Sequence, residues 1–217
     1  MKKYKAVLFD FDYTLADSSK AVIECISYSL RKMGYAVPAP DNICRTIGLT
    51  LADAYRELSR DTSESNAEIF RNYFKERADV IMKDGTRVYN TVKNVLGRLK
   101  DMGLKTGIVS TKFRYRIEDI LERDGLLHYF DVIVGGEDVS AHKPNPEGLL
   151  KAITVLGEAR GDSIFVGDSV VDAKTAQNAD VDFAAVLTGT TEWDKFLEFD
   201  TQAVLKDLNG LPDLFEI

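Results

Sequence analysis

Two carboxylates stand together near the start of the chain, directly after a short apolar run. Asp10 and Asp12 follow Ala6–Phe9 in "KAVLFDFDYTL", and only Phe11 separates them. Neighbouring negative charges repel each other, so a pair of carboxylates at the end of a buried strand is unfavourable by itself. The pair therefore indicates a functional site in which the negative charge has a role. A divalent cation would offset the repulsion and keep both groups ionised.

Further polar side chains follow three later apolar runs. Ser110 and Thr111 come after "TGIV", Lys143 lies in "SAHKPNP" after "VIVGG", and Asp168 and Asp172 belong to "GDSVVD" after "SIFV". Carboxylates without histidine or cysteine suit a hard cation, and few protein ligands favour Mg²⁺ over Ca²⁺. A lysine and a hydroxyl bind phosphate oxygens, helped by backbone N–H groups at a helix start after Ser110.

This set of side chains favours phosphoryl transfer. A carboxylate can accept a phosphoryl group as a nucleophile, which gives an aspartyl-phosphate. A second carboxylate nearby can protonate the leaving oxygen and later activate water. Each residue alone has an ordinary explanation as a turn, a helix cap or a solvated side chain. Their occurrence at four successive strand ends is what predicts a catalytic site.

The second part of the chain predicts the elements that would position these residues. From about Arg87 onward, helix-period segments alternate with short apolar runs. The predicted helices are "NTVKNVLGRLKDMG", "FRYRIEDILERDG", "PEGLLKAITVLG" and "VVDAKTAQNA", and the runs between and after them are "KTGIVS", "FDVIVGG", "DSIFVGDS" and "DFAAVLTG". This alternation predicts an α/β fold with a doubly wound parallel sheet, in which ligands bind outside the carboxyl ends of the strands.

A segment without convincing strands follows the first strand. Helical stripes occur in "KAVIECISYSLRKMG", "TLADAYRELSR" and "SNAEIFRNYFKERADVIM". We expect residues 1–16 and 84–217 to form the α/β core, and residues 17–83 to form a small helical cap domain. An insertion that begins beside Asp12 could close over the carboxylates.

Composition narrows the class of protein. The net charge of −7 argues against a nucleic-acid-binding or anionic-membrane surface. Cys25 and Cys44 lack metal-ligand spacing. Paired, they would form a lone disulfide, but we expect two buried thiols in a reducing cytosol. No signal peptide and no membrane-spanning stretch is recognisable. These features predict a cytoplasmic protein, monomeric or homodimeric, that acts on a small phosphorylated metabolite without nucleic-acid or membrane partners.

Four motifs then resemble those of a known family. "DFDYTL", "IVST", "HKPNP" and "GDSVVD" are similar to the motifs of the haloacid-dehalogenase-like hydrolase superfamily. A helical cap inserted after the first motif resembles its phosphoglycolate-phosphatase-like branch. The resemblance implies a Rossmann-like core and an Mg²⁺-dependent phosphohydrolase that cleaves a small phosphomonoester through an aspartyl-phosphate.

The resemblance also implies a role for each acidic residue. Asp10 would be the nucleophile and a metal ligand. Asp12 would be the general acid and base, with its backbone carbonyl on the metal. Asp168 would complete the protein ligands of the metal, and Asp172 would lie just outside them or close by.

The remaining implied residues concern the phosphate and the choice of substrate. Ser110, with Thr111 beside it, and Lys143 would bind the transferring phosphoryl group. Tyr13 replaces the glycine that is common in the first motif, so the turn must accommodate a bulky side chain that narrows the entrance.

The cap loop "CRTIGLTL" resembles the segment that faces the active site in these proteins. Arg45, Gly48 and Thr50 are therefore candidates for substrate specificity. Arg45 could meet a carboxylate or a second phosphate, although an exposed helix arginine is the ordinary reading of a lone charge.

Several related activities stay open or are disfavoured. A pyrophosphatase or nucleotidase would use the same catalytic core. Dehalogenases lack the second aspartate of the first motif, so Asp12 argues against carbon–halogen chemistry. A β-phosphoglucomutase-like enzyme typically shows EDSxxG, where this chain has Gly167 and Asp172. A phospho-acceptor signalling module would lack the helical insertion and carry its acceptor on a later strand.

Overall fold

The computed structural model describes residues 4–215 and divides the chain into two compact units. The core consists of the chain up to Ala16 and from Val88 onward, and the cap is Asp17–Arg87. The predicted boundary between residues 83 and 84 falls in the last turn of a helix that continues to Gly85. The end of this helix could not be recognised from its apolar pattern, because Lys83 and Asp84 are polar and follow Met82, the last buried residue of the helix.

The strands and helices have the following bounds. The strands are β1 (Ala6–Phe9), β2 (Ala16–Asp17), β3 (Arg87–Val88), β4 (Lys105–Val109), β5 (Val132–Val134), β6 (Ser163–Gly167), β7 (Asp182–Val186) and β8 (Thr201–Leu205). The α-helices are α1 (Ser19–Lys32), α2 (Pro40–Cys44), α3 (Leu51–Ser59), α4 (Glu64–Gly85), α5 (Val92–Asp101), α6 (Arg114–Arg123), α7 (Glu147–Leu156) and α8 (Val170–Ala179). Short 3₁₀ helices occupy several connections in the core.

The core sheet has six strands in the order β5-β4-β1-β6-β7-β8, and every pair is parallel. β1 lies between β4 and β6, with Ala6 opposite Lys105 and Ser163. All four residues of β1 are fully buried, as expected for a strand covered on both faces. The predicted α/β doubly wound fold is confirmed.

Helices cover both faces of the sheet because side chains alternate along β1. Val7 and Phe9 belong to one apolar layer, which includes the buried faces of α5 and α6. Ala6 and Leu8 belong to the other layer, which includes α7 and α8. This packing fixes β1 from both sides, and so fixes the position at which the chain emerges toward Asp10.

The cap is a bundle of helices with an apolar centre of its own. The buried residues of α1 pack with those of α3 and α4, and they include Cys25, Ile26, Tyr55 and Phe70. Cys25 is a buried thiol and Cys44 a half-buried one, and neither forms a disulfide. In the described part of the chain, no helix is long and apolar enough to cross a membrane.

A hydrogen-bond network around Asp61 joins three parts of the cap. Oδ2 of Asp61 accepts from the hydroxyls of Tyr55 at 2.6 Å and Tyr35 at 2.7 Å, and from Asn66 Nδ2 at 2.7 Å. Oδ1 accepts from the backbone N–H of Ser63 at 2.8 Å. These bonds, led by those from Tyr55 and Asn66, hold the pKa of Asp61 well below its usual range.

We therefore predict that Asp61→Asn lowers the thermal midpoint of the protein at neutral pH. A carboxylate with a lowered pKa in the folded state adds stability that is fully present above its unfolded pKa of about 4. That contribution is lost as the pH falls through the folded value. The difference in midpoint between wild type and variant should therefore shrink below about pH 4, as measured by circular dichroism.

Asp84→Asn is the matched control, because Asp84 is an exposed carboxylate of the same unit. Its midpoint should follow that of the wild type. A constant difference between wild type and Asp61→Asn from neutral to acid pH would contradict the assigned role of the carboxylate.

Candidate active site

The first feature of the site is the common edge at which β1, β4 and β6 end. Asp10 follows β1, Ser110 follows β4, and Asp168 follows β6. The sheet pairing continues into two of these positions, because Asp10 N–H donates to Val166 O at 2.9 Å and Ser110 N–H to Val134 O at 3.0 Å. The structure therefore brings residues that are far apart in sequence to one edge of the sheet.

Three carboxylates form a buried cluster at this edge. Oxygen atoms of Asp10, Asp168 and Asp172 lie within 4.8 Å of one another. Asp172 is on the first turn of α8, where it forms a capping box with Ser169: Asp172 N–H donates to Ser169 Oγ, and Ser169 N–H donates to Asp172 Oδ2, both at 3.2 Å. The helix start thus holds the Asp172 carboxylate inside the cluster rather than beside it.

Lys143 is the cation that faces this cluster. Its Nζ lies 2.6 Å from Asp172 Oδ1 and 3.0 Å from Asp10 Oδ1, and its side chain is 5% exposed. Burial acts to lower the pKa of Lys143, but the charges of Asp10 and Asp172 raise it above the usual range. The ammonium group is therefore positively charged at neutral pH.

For two of the carboxylates, the effect of burial on the pKa outweighs the attraction of Lys143. Burial raises the pKa of Asp10 to about 6, with Lys143 opposing the rise and Asp172 and Asp12 adding to it. Burial, followed by the charges of Asp172 and Asp10, raises the pKa of Asp168 well above its usual range. If all three carboxylates were ionised, the cluster would carry more negative charge than one lysine balances.

The donor set fits a hard divalent cation. The cluster offers carboxylate oxygens, the ligands that such cations prefer. Within residues 4–215, Asp10 Oδ1 is buried without a hydrogen-bond partner, since its contact with Lys143 lacks hydrogen-bond geometry. A buried acceptor that lacks a donor is a position where a cation would satisfy the free lone pair. The acidic cluster can therefore hold a metal ion.

Asp12 is placed differently from the other acidic residues. Its Oδ1 lies 3.1 Å from Lys112 Nζ, and the two side chains are 9% and 6% exposed. Lys112 Nζ also lies 6.0 Å from the centre of the Phe11 ring. Sequence reasoning did not select Lys112 as a site residue; the available signal was a lysine two positions after Ser110 at a strand end. The pair holds the Asp12 carboxylate in one orientation.

The segment after Ser110 differs from expectation. The predicted helix "FRYRIEDILERDG" is present as α6, which begins at Arg114. The expectation that Thr111 and Lys112 lie at the helix start is wrong, because Phe113 before the helix has extended backbone. Thr111 and Lys112 instead lie in a loop. The Ser110 side chain is 6% exposed, and its Oγ accepts from Lys112 N–H at the long distance of 3.4 Å. Backbone N–H groups near Ser110 are therefore those of a loop rather than of a helix end.

The turn after Asp12 accommodates Tyr13 by a positive φ. Tyr13 has φ 61°, a left-handed conformation that glycine adopts more easily, and its side chain is buried. The next residue, Thr14, is also buried and donates from Oγ1 to Asp168 Oδ1 at 3.1 Å. Thr14 was another residue that sequence reasoning missed, although it lies in "DFDYTL".

The candidate specificity residues of the cap have local roles in the structure. Arg45 is exposed, and Gly48 has φ 96°. Thr50 is the N-cap of α3, where its Oγ1 accepts from Asp53 N–H at 3.1 Å. Arg45 also lines a cavity of about 500 Å³ within the cap, together with Asn42, Thr46 and Arg60. Their predicted part in specificity, like that of Tyr13, stays a prediction.

Comparison with known proteins decides the family. The haloacid dehalogenase-like hydrolase family matches residues 7–186. The chain belongs to this family. A haloacid dehalogenase-like hydrolase from Bacteroides fragilis has a structure that superposes with a TM-score of 0.94 at 40% identity, covering 96% of this chain and 100% of that one.

Named relatives cover nearly the whole chain. Phosphoglycolate phosphatase of Aquifex aeolicus is 30% identical over 96% of this chain and 97% of its own length. Pyrophosphatase PpaX of Halalkalibacterium halodurans is 32% identical over 97% of this chain and 95% of its own. The predicted family is confirmed, and so is the prediction that the protein is a hydrolase of the phosphatase kind.

The geometry of the acidic cluster predicts the effect of removing its lysine. Lys143→Met leaves Asp10 and Asp172 buried without their cation, and breaking a buried pair in this way typically costs about 3–5 kcal/mol. We expect a loss of that order in the free energy of unfolding at neutral pH, measured by denaturant titration.

Lys93→Met is the matched control, since Lys93 is exposed on α5. Its free energy of unfolding should stay within about 0.5 kcal/mol of the wild type. An equally small change for Lys143→Met would show that the lysine does not balance the carboxylates.

Proposed function

We propose that this protein is an Mg²⁺-dependent phosphatase that hydrolyses a small phosphomonoester of the phosphoglycolate type through a phosphorylated Asp10. The observation that carries the proposal is the buried cluster of Asp10, Asp168 and Asp172 against Lys143 at the strand ends. This cluster supports the proposal because it would supply a nucleophile, a phosphate-binding cation and oxygen ligands at one place.

The chain's own groups supply binding and orientation. Lys143 Nζ and the Ser110 hydroxyl would bind oxygens of the transferring phosphoryl group, with a backbone N–H of the Thr111 loop beside them. Asp10, Asp168 and the backbone carbonyl of Asp12 would hold Mg²⁺, which supplies positive charge against the phosphate and the carboxylates. Asp172 would keep Lys143 in place through its 2.6 Å contact.

The reaction would then proceed in two displacements. A carboxylate oxygen of Asp10 attacks phosphorus, the ester P–O bond breaks, and the Asp12 carboxyl gives its proton to the leaving oxygen. Water next attacks phosphorus while Asp12 takes a proton from it, and the Asp10–phosphorus bond breaks. Inorganic phosphate is released, and Asp10 returns to its starting form.

Lys112 would support the proton transfers by orienting Asp12. Its Nζ lies 3.1 Å from Asp12 Oδ1, and both side chains are buried, so the contact would hold the carboxyl group in one position toward the leaving oxygen and the attacking water.

A second candidate activity is hydrolysis of inorganic pyrophosphate. It is favoured by the identity to pyrophosphatase PpaX, which equals or exceeds the identity to the named phosphoglycolate phosphatase. The displacement at Asp10 would be the same, with phosphate as the leaving group. Release of phosphate from phosphoglycolate, pyrophosphate and nucleoside monophosphates, compared at equal concentration, distinguishes these candidates.

Other predictions about the protein belong with this proposal. A small phosphorylated metabolite would be the substrate, without a nucleic-acid or membrane partner. Cytoplasmic location and a monomeric or homodimeric state also stay predictions.

The metal part of the proposal predicts a strict requirement for a divalent cation. Chelation should abolish phosphate release, and Mg²⁺ should restore it, because the carboxylates need a counter-charge. Asp168→Asn should need much more Mg²⁺ for half-maximal rate. Phosphate release that persists after exhaustive chelation would disprove the requirement.

Substitutions of the two aspartates of the first motif should reduce turnover to different extents. Asp10→Asn removes the nucleophile, so turnover should be abolished. Asp12→Asn keeps the nucleophile and loses only proton transfer, which is typically worth about 10²–10⁴-fold in rate. The loss should be smallest for an activated aryl phosphate, whose leaving group needs little protonation. Robust turnover by Asp10→Asn in steady-state assays would rule out the mechanism.

The cap loop should influence which substrate is preferred. Arg45→Ala should change the ranking of kcat/KM across the phosphate panel while the Mg²⁺ requirement stays the same. Arg31→Ala is the matched control, since Arg31 is an exposed arginine at the end of α1. An unchanged ranking in Arg45→Ala would remove this residue from the specificity set.

A further inference from the structure

The turn after β7 contacts two of the loops that carry the acidic site. Thr188 and Gly189 follow β7 in "AAVLTGTT", and neither was selected from the sequence as a site residue. Thr188 contacts the loop after β1, and Gly189 contacts Asp168. These contacts place two further residues beside a site otherwise built from the ends of other strands.

Gly189 is needed for space rather than for backbone freedom. Its φ is not positive, so an alanine could adopt the same backbone conformation. A Cβ at this position would, however, lie 1.9 Å from Asp168 Oδ2 and 2.7 Å from Asp168 Cγ. Such distances are far below van der Waals contact, so any side chain here displaces the Asp168 carboxylate.

The two oxygens of Asp168 are therefore constrained from two directions. Oδ1 accepts the hydrogen bond from Thr14 Oγ1 at 3.1 Å, and Oδ2 packs against the backbone of Gly189. Asp168 itself is 6% exposed, and it has little room to rotate. Its carboxylate is held in the orientation that directs it into the cluster with Asp10 and Asp172.

Thr188 stabilises the turn that contains Tyr13 and Thr14, the donor to Asp168. Its Oγ1 donates a short hydrogen bond to the backbone carbonyl of Tyr13. Tyr13 has φ 61°, a left-handed conformation that a residue with a side chain adopts only when its surroundings hold it there. Because Thr14 is the next residue, the same bond also fixes the backbone that carries the donor to Asp168.

We propose that the Thr188–Gly189 turn positions Asp168 for cation binding, an inference that rests on the proposed metal-dependent function. Thr188 and Gly189 are positioning residues: they act through Asp168 and Tyr13 and do not touch the substrate. Partners that orient a metal ligand typically contribute 10–100-fold to metal affinity.

The test measures Mg²⁺ binding to the whole protein in the absence of substrate, by isothermal titration calorimetry. Gly189→Ala should bind Mg²⁺ about 10–100-fold more weakly than the wild type. Gly161→Ala is the matched control, because a Cβ at Gly161 meets no atom within 4 Å and its φ is not positive. Its affinity should equal that of the wild type.

A second pair of variants covers the case in which Gly189→Ala does not fold. Thr188→Val removes the hydroxyl and should weaken Mg²⁺ binding, whereas Thr188→Ser retains the donor and should restore it. The thermal midpoint of each variant is also measured in chelator, without Mg²⁺. If Thr188 had a purely structural role, Thr188→Val would lower this midpoint without changing the Mg²⁺ affinity.

The outcomes separate the inference from the function on which it rests. Unchanged Mg²⁺ affinity in both Gly189→Ala and Thr188→Val, with a wild type that binds Mg²⁺, would overturn the positioning role alone. If Gly189→Ala does not fold, unchanged affinity in Thr188→Val is sufficient to overturn it. A wild type that does not bind Mg²⁺ would overturn the metal-dependent function and this inference with it.

Discussion

Three buried carboxylates share one buried lysine in this protein, and that charge imbalance is the constraint on which the site depends. Fully ionised, Asp10, Asp168 and Asp172 with Lys143 leave two uncompensated negative charges. Such a group is expensive to bury unless a counter-charge is present, as the raised pKa of Asp10 and Asp168 indicates. A divalent cation would bring the sum to zero. The proposed catalysis and cation binding would therefore both follow from one electrostatic arrangement.

The fold maintains this arrangement because the acidic residues lie directly after buried strands or on the first turn of a helix. β1 is buried on both faces and places Asp10 and Asp12 at its end. The capping box of α8 holds Asp172, and Thr14 holds Asp168. Lys112 lies against Asp12 separately, so the proposed acid–base residue has its own counter-charge. The site thus consists of a charged cluster and a neutral pair, which suits a nucleophile and a proton carrier with different tasks.

The core strands and the main site residues could be predicted because their signals are local. A continuous apolar run marks a strand covered on both faces, and polar residues at its end mark the edge where ligands bind. β8 was missed because its side chains alternate between half-buried and exposed, which gives no continuous run. α2 was missed because its five residues are too few for a helical stripe.

Side-chain partners were less predictable than elements. The pair of Lys112 with Asp12 and the contact of Gly189 with Asp168 join residues from different strands, and no spacing in the sequence encodes them. α6 begins within one residue of the predicted start, but Thr111 and Lys112 lie in a loop before it because Phe113 has extended backbone. Local pattern therefore identified polar residues at the strand ends, whereas tertiary packing decided which side chains meet there and how they are oriented.

The central claim is that the Asp10 carboxylate becomes covalently phosphorylated, and mass spectrometry of acid-quenched enzyme tests it most directly. Asp12→Asn protein mixed with Mg²⁺ and an activated aryl phosphate should accumulate the intermediate, because water attack is slowed. The account predicts a mass increase of one phosphoryl group, located by peptide fragmentation at Asp10 and absent in a variant that also carries Asp10→Asn. A phosphoryl group on any other residue, or turnover of the Asp12→Asn protein without a phosphorylated species, would contradict it.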